Sequence, residues 1–137
     1  MVGFNDYKII YAEDEAITNL FFTKILKRVS KNIYPTFNGK EAFEKYLEIK
    51  PDLIVTDLNM PIMHGCELIK KIRELDRTTP IIVVTAQTDL DHLNINLLKK
   101  PIDFSVFQRL VKKCLTNEND TNIEDELKIQ EIVLAVM

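Results

Sequence analysis

Three segments of the chain are apolar at consecutive positions rather than alternate ones: residues 8–12 (KIIYA), 52–56 (DLIVT) and 80–85 (PIIVVT). A strand with one wet face alternates apolar and polar residues, so a strand that is apolar throughout needs cover on both faces. These runs are short, rich in β-branched residues and closed by polar ones, which reads as strand rather than helix. Longer stretches with helical spacing lie between them. Such an alternation restricts the chain to a parallel sheet covered by helices on both sides, the doubly wound α/β architecture.

The remaining elements follow from periodicity and punctuation. Residues 16–29 carry Ile17, Leu20, Phe21, Ile25 and Val29 at helical spacing, and these form the expected inward face. Residues 33–37 form a weaker strand, made irregular by Pro35. Asn38 is expected to cap a second helix, with Glu41 three residues on, and that helix buries Ala42, Phe43, Tyr46 and Leu47. Residues 59–65 form a loop leading to a helix with Leu68, Ile69 and Ile72 on one face. A fifth short strand is expected at 95–98, then a last helix at 104–115 with Phe107, Leu110, Val111 and Cys114 inward. The expected fold is a five-stranded parallel sheet.

Composition narrows the class. The chain has 137 residues, 46% hydrophobic and 28% charged, which suits one soluble globular domain. No apolar run approaches the roughly 18 residues of a membrane helix, and the first residues lack a signal-peptide pattern. Cys66 and Cys114 fall in helical stretches without metal-ligand spacing and read as reduced, packed thiols. The expectation is a cytoplasmic protein that engages no membrane. The net charge of −3 divides unevenly, since residues 117–137 hold six acids against Lys128. With no basic stripe elsewhere, direct nucleic-acid binding is not expected. That acidic tail begins as a polar linker. It then shows a capping box at Thr121 and Glu124, followed by Ile129, Ile132, Val133 and Val136 on one helical face. The expected division is a domain at 1–116 and, at 117–137, a linker plus amphipathic helix. That helix either leads to an output domain or homodimer, or docks back on the domain.

The strand ends carry the chemistry. In a parallel doubly wound sheet, ligands bind beyond the carboxyl ends of the strands. The first strand here ends in Glu13-Asp14, the third in Asp57, the fourth in Thr85, and the fifth in Lys100-Pro101. Three carboxylates brought together repel unless a cation sits among them, and a hard, oxygen-ligated ion such as Mg2+ suits one or two carboxylates plus water. Lys100 adds a point charge suited to phosphate, and Thr85 a hydroxyl for a phosphoryl oxygen. A carboxylate nucleophile, a metal, a lysine and a hydroxyl are the parts for phosphoryl transfer to an aspartate. Singly, each has a plainer reading: acids at a helix N-terminus, a cap at Asp57, a loop hydroxyl, a surface lysine. Jointly they do not. His64 and His92 lack a partner at metal-ligand spacing and read as solvated.

Glu13-Asp14, Asp57 within IVTDLNMPIMHG, Thr85 within VVTA, and Lys100-Pro101 together resemble the response-regulator receiver family over about residues 7–115. The resemblance implies a flavodoxin-like sheet of order 2-1-3-4-5. It implies Asp57 as phosphoacceptor, fed by a histidine kinase, a phosphotransfer protein or a small acyl-phosphate donor. Asp14 would bind Mg2+ directly, Glu13 mainly through water, and the Asn59 backbone carbonyl would complete the protein ligands. Thr85 and Lys100 would contact the phosphoryl group. Asn59 and Gln87 would tune its lifetime. The implied protein is a switch that catalyses only its own phosphorylation and dephosphorylation.

The chain departs from the family in three places. The acidic pair is Glu-Asp rather than Asp-Asp. The position three before the lysine, usually aromatic, is Leu97, so the usual threonine–aromatic switch is replaced. Thr85 and Lys100 are only 15 positions apart, so the fourth crossover has its helix shortened or lost. Residues 86–94 are therefore expected to be irregular or a single turn, ordering when Thr85 engages a phosphoryl group. Two other functions compete. A dehalogenase-like phosphatase wants a second Asp two residues past the nucleophile, where this chain has Asn59. A degenerate receiver, acting as a phosphorylation-independent interaction module, would have no need of the intact acidic set.

Overall fold

The computed structural model describes residues 6–85, 96–99 and 104–116. Nine elements occur among these: β1 (Lys8–Ala12), α1 (Ala16–Leu26), β2 (Asn32–Thr36), α2 (Gly39–Ile49), β3 (Leu53–Thr56), α3 (Gly65–Leu75), β4 (Ile81–Thr85), β5 (Asn96–Lys99) and α4 (Phe104–Thr116). All strand pairs are parallel, in the order β2-β1-β3-β4-β5. This is the expected sheet. The notional fourth-crossover helix at 86–94, His92, and the tail at 117–137 lie outside the described residues.

The central strands alternate sides, and each side meets its own helices. Ile9, Tyr11, Leu53, Val55, Ile82 and Val84 pack with Phe22, Ile25 and Leu26 of α1 and Val106, Phe107, Leu110 and Val111 of α4. Ile10, Ala12, Ile54, Ile81 and Val83 pack with Ala42 and Tyr46 of α2 and Leu68, Ile69 and Ile72 of α3. The consecutive apolar runs are thus two half-faces, one per layer. Burying each Ile, Leu or Val here stabilises the fold by roughly 1.5–3 kcal/mol.

One expected face is only partly right: Ile25 and Val29 are buried as expected, at 7% and 3% exposure. Ile17, Leu20 and Phe21 are exposed, at 77%, 58% and 49%. The buried stripe of α1 runs through Asn19, Phe22, Thr23, Ile25 and Leu26. Residues 19, 22, 23 and 26 have the same helical spacing as the predicted set, but two of them are polar. They go inward because their polar atoms are matched there: the Thr23 hydroxyl donates to Asn19 Oδ1 at 3.1 Å, and the Asn19 amide is bonded on both protons. Phe22 then meets Phe107 edge-on, ring centroids 5.4 Å apart. Leu47 is likewise exposed rather than buried. β5 starts and ends one residue later than expected, at Asn96–Lys99. The cap on α2 forms as expected, with Asn38 accepting from the Glu41 N–H at 2.8 Å; Glu41 reaches back to the Asn38 amide at 2.9 Å.

Candidate functional site

The sheet order places β1 between β2 and β3, so the chain reverses its winding direction between β1 and β3. A crevice forms beyond the strand ends at such a point. Ala12 pairs with Thr56 at the last rung, and the Asp57 N–H donates to the Ala12 carbonyl at 3.0 Å. Glu13 and Asp57 therefore leave adjacent strands side by side. Carboxylate oxygens of Glu13, Asp14 and Asp57 all lie within 4.8 Å of one another. Glu13 and Asp57 are buried, at 4% and 8% exposure, while Asp14 is open to solvent.

Such a cluster is repulsive by itself, and its field reaches the strand beneath. Burial first, then the negative charges of Glu13, Asp57 and Glu15, raise the Tyr11 phenol far above its usual value. A donor set of three carboxylates, one solvent-facing, fits a small hard cation that keeps part of its water.

Asp57 is held firmly. Its Oδ1 accepts from the Leu58 N–H at 2.6 Å, and its backbone carbonyl accepts from the Thr56 hydroxyl at 2.7 Å. The chain then enters the loop that carries Asn59, whose side chain is exposed at the rim. Met63 N–H closes a three-residue turn onto the Pro61 carbonyl at 2.7 Å, with Ile62 at φ 70°. This is the strained form of the turn, and a β-branched residue is rarely found in it. The loop ends where Gly65 N–H donates to the Leu58 carbonyl at 2.8 Å, docking the start of α3 beside Asp57. A Cβ on Gly65 would lie 2.4 Å from the Asp57 carbonyl oxygen. Gly39 abuts the other side of the loop in the same way: a Cβ there would lie 2.3 Å from the Met63 carbonyl oxygen.

Of the residues singled out in the sequence, Glu13, Asp14 and Asp57 come together, with Asn59 two residues beyond Asp57. The Thr85 backbone ends β4 opposite Lys99, and Leu97 lies in β5 opposite Val83. Lys100 and Gln87 lie outside the described residues. His64 is more than a solvated residue: it caps α3, its Nδ1 accepting from the Cys66 N–H at 3.1 Å. Cys66 and Cys114 form no disulfide; each is partly buried against a core layer. The strain at Ile62 and the roles of His64 and Asn19 were missed. A β-branched residue directly after Pro61, before a Gly-initiated helix, was the available signal for the first.

A family model, the response regulator receiver domain, matches residues 9–124. The response regulator ArlR of Staphylococcus saprophyticus is 30% identical over 125 residues, covering 86% of this chain and 56% of its own length. The chemotaxis protein CheY of Thermotoga maritima is 34% identical over 80 residues, 58% of this chain and 67% of that protein. The receiver domain of the hybrid histidine kinase CckA superposes with a TM-score of 0.68 at 27% identity, covering 80% of this chain and 99% of that one. The chemotaxis response regulator CheY4 of Vibrio cholerae gives 0.71 at 23% identity, over 80% of this chain and 98% of its own, a likeness of fold. This chain spans just over half the length of ArlR. Among the described residues, no helix is long and apolar enough to cross a membrane.

Proposed function

The chain belongs to the response regulator receiver domain family, and from that premise we propose that it is a Mg2+-dependent phosphoryl switch with Asp57 as the acceptor. The observation that carries the reading is the meeting of Glu13, Asp14 and Asp57 at the end of two adjacent strands. An interaction module independent of phosphate would have no use for three carboxylates held in mutual repulsion.

Each residue has a definite task in this reading. A carboxylate oxygen of Asp57 attacks phosphorus. The bond from phosphorus to the donor breaks, whether to a histidine nitrogen or an acyl oxygen, and the donor leaves with the bonding pair. The Leu58 N–H engages Oδ1 at 2.6 Å and so fixes the plane of the attacking carboxylate. Glu13, Asp14, Asp57 and the Asn59 carbonyl would hold Mg2+, which when bound supplies positive charge against the phosphoryl oxygens. Thr85 and Lys100 would contact the transferred group, as the family resemblance implies. Water entering past Asn59 and Gln87 later cleaves the acyl phosphate, returning the Asp57 carboxylate and inorganic phosphate.

The donor is a histidine kinase or phosphotransfer protein, or a small acyl phosphate, and the setting is cytoplasmic. Residues 1–116 form the receiver, and 117–137 connect it to an output domain or a homodimer. Leu97 stands at the switch position, so the signal does not leave by rotation of an aromatic ring there. Incubation with an acyl-phosphate donor and Mg2+, followed by intact mass, tests the reading. The mass of one phosphoryl group should appear, and excess chelator should prevent it. Equal labelling with and without the chelator contradicts it.

A further inference from the structure

The two acids of the metal site hang from a single peptide unit. The carbonyl of Glu13 and the N–H of Asp14 share one rigid plane. Whatever fixes that carbonyl also fixes ψ of Glu13 and φ of Asp14, and hence the directions in which both carboxylates leave the backbone. That carbonyl lies just past the end of β1 at Ala12. β2 ends at Thr36, whose carbonyl accepts from the Glu13 N–H at 3.1 Å as the last rung of the ladder.

The side chain of Asn19 takes over there. Its Nδ2 donates to the Glu13 carbonyl at 2.8 Å and to the Thr36 carbonyl at 2.8 Å. Both amide protons are spent across the ends of β1 and β2. Oδ1 accepts from the Thr23 hydroxyl, but the two carbonyls alone set the orientation of the amide, since turning it over would aim Oδ1 at both. The residue is 2% exposed, on the second turn of α1, so water does not compete for these bonds. A buried asparagine with every proton placed resists rotation, since any other orientation leaves unsatisfied groups at about 1–3 kcal/mol each.

We propose that Asn19 is the positioning residue of the acidic pair: by holding the Glu13–Asp14 peptide plane it sets the spacing of the carboxylates and so their affinity for the cation. This rests on the reading of Glu13, Asp14 and Asp57 as the Mg2+ site. Asn19 itself touches neither metal nor phosphoryl group. Loss of a group that orients metal ligands typically lowers affinity by about tenfold or more. The same loss by a general weakening of α1 is excluded by a neighbour. Thr23→Val cuts the polar ladder one turn further on, in the same helix and core, without touching Glu13 or Thr36.

The test is a Mg2+ titration of the full chain followed by backbone amide shifts, which requires no phosphorylation. Asn19→Ala and Asn19→Ser, neither able to bridge two carbonyls, should bind about tenfold more weakly than the unaltered chain. Thr23→Val should lose thermal stability yet bind within about twofold of it. Unchanged affinity in either folded Asn19 variant overturns the proposal while leaving the metal site standing, as does an equal loss in Thr23→Val. No binding by the unaltered chain overturns the metal reading and this proposal with it. The unaltered chain carries its own check should both Asn19 variants fail to fold. Its Asn19 side-chain amide resonances should move with those of Glu13 and Asp14, and amide signals that stay still at saturating Mg2+ refute the proposal.

Discussion

Replacing Gly65 by alanine should injure both the stability of the domain and the geometry of the acceptor. The added Cβ would lie 2.4 Å from the Asp57 carbonyl oxygen, 2.7 Å from Leu58 Cα and 3.0 Å from Leu58 Cδ2. The first two are backbone atoms of Asp57 and Leu58, so no side-chain rotation relieves the clash. To reach ordinary contact the start of α3 and the end of β3 must part by about 1 Å, and core overpacking of that kind costs about 1–3 kcal/mol. The same movement stretches the bond from Gly65 N–H to the Leu58 carbonyl, now 2.8 Å, forfeiting about 1 kcal/mol more. Alanine returns up to about 1 kcal/mol of helix propensity, less at a first helical position. The net loss is about 2–3 kcal/mol, a fall in Tm of about 8–15 °C for a domain of this size. Circular-dichroism melts give the first number, and the rate of labelling by an acyl phosphate, at a temperature where the variant is folded, gives the second. A Tm within about 2 °C of the parent chain, with an unchanged labelling rate, would refute the reasoning that this approach must be bare.

Two further substitutions probe features away from the acids. Ile62 is 76% exposed at φ 70°, so Ile62→Asn gives up no packing and relieves a left-handed strain of about 1–2 kcal/mol; Tm should rise by several degrees, and a fall would show that Ile62 makes a contact unaccounted for. Asp76 caps the far end of α3. Burial alone would raise its pKa, but the Thr79 hydroxyl and N–H, the Thr78 N–H and the Tyr46 hydroxyl outweigh this and hold it well below the ordinary carboxylate range. A depressed folded-state pKa contributes stability that is complete above the unfolded value near 4 and fades as pH falls below it. Asp76→Asn should therefore melt lower at pH 7, by on the order of 1 kcal/mol or less since the group is half-exposed and screened. The gap should narrow progressively as pH falls below about 4, and a gap independent of pH would contradict the assignment.

How far the sequence could be read depended on the kind of information each residue carries. The strands were legible because burial on both faces leaves consecutive apolar residues, and parallel strands whose polar ends line one edge bring Glu13, Asp14 and Asp57 together without further detail. The α1 face was legible only toward its C-terminal end, at Ile25 and the following Val29. Ahead of these, two stripes of equal spacing compete, and the one that wins contains Asn19 and Thr23, whose burial depends on hydrogen bonds made to Glu13 and Thr36, partners set by tertiary structure. Hydrophobicity alone chose Ile17, Leu20 and Phe21. Ile62 was opaque for a related reason: its backbone is bent by a turn closed between its neighbours, against its own preference.

The central claim is that the carboxylate of Asp57, and no other group, takes the phosphoryl. Asp57→Asn preserves the size of the side chain and its acceptor for the Leu58 N–H, but removes the nucleophilic oxygen pair. Intact mass after incubation with an acyl phosphate and Mg2+ should show one added phosphoryl group on the parent chain and none on the variant. A variant that gains the same mass at the same rate would place the chemistry elsewhere and contradict the account.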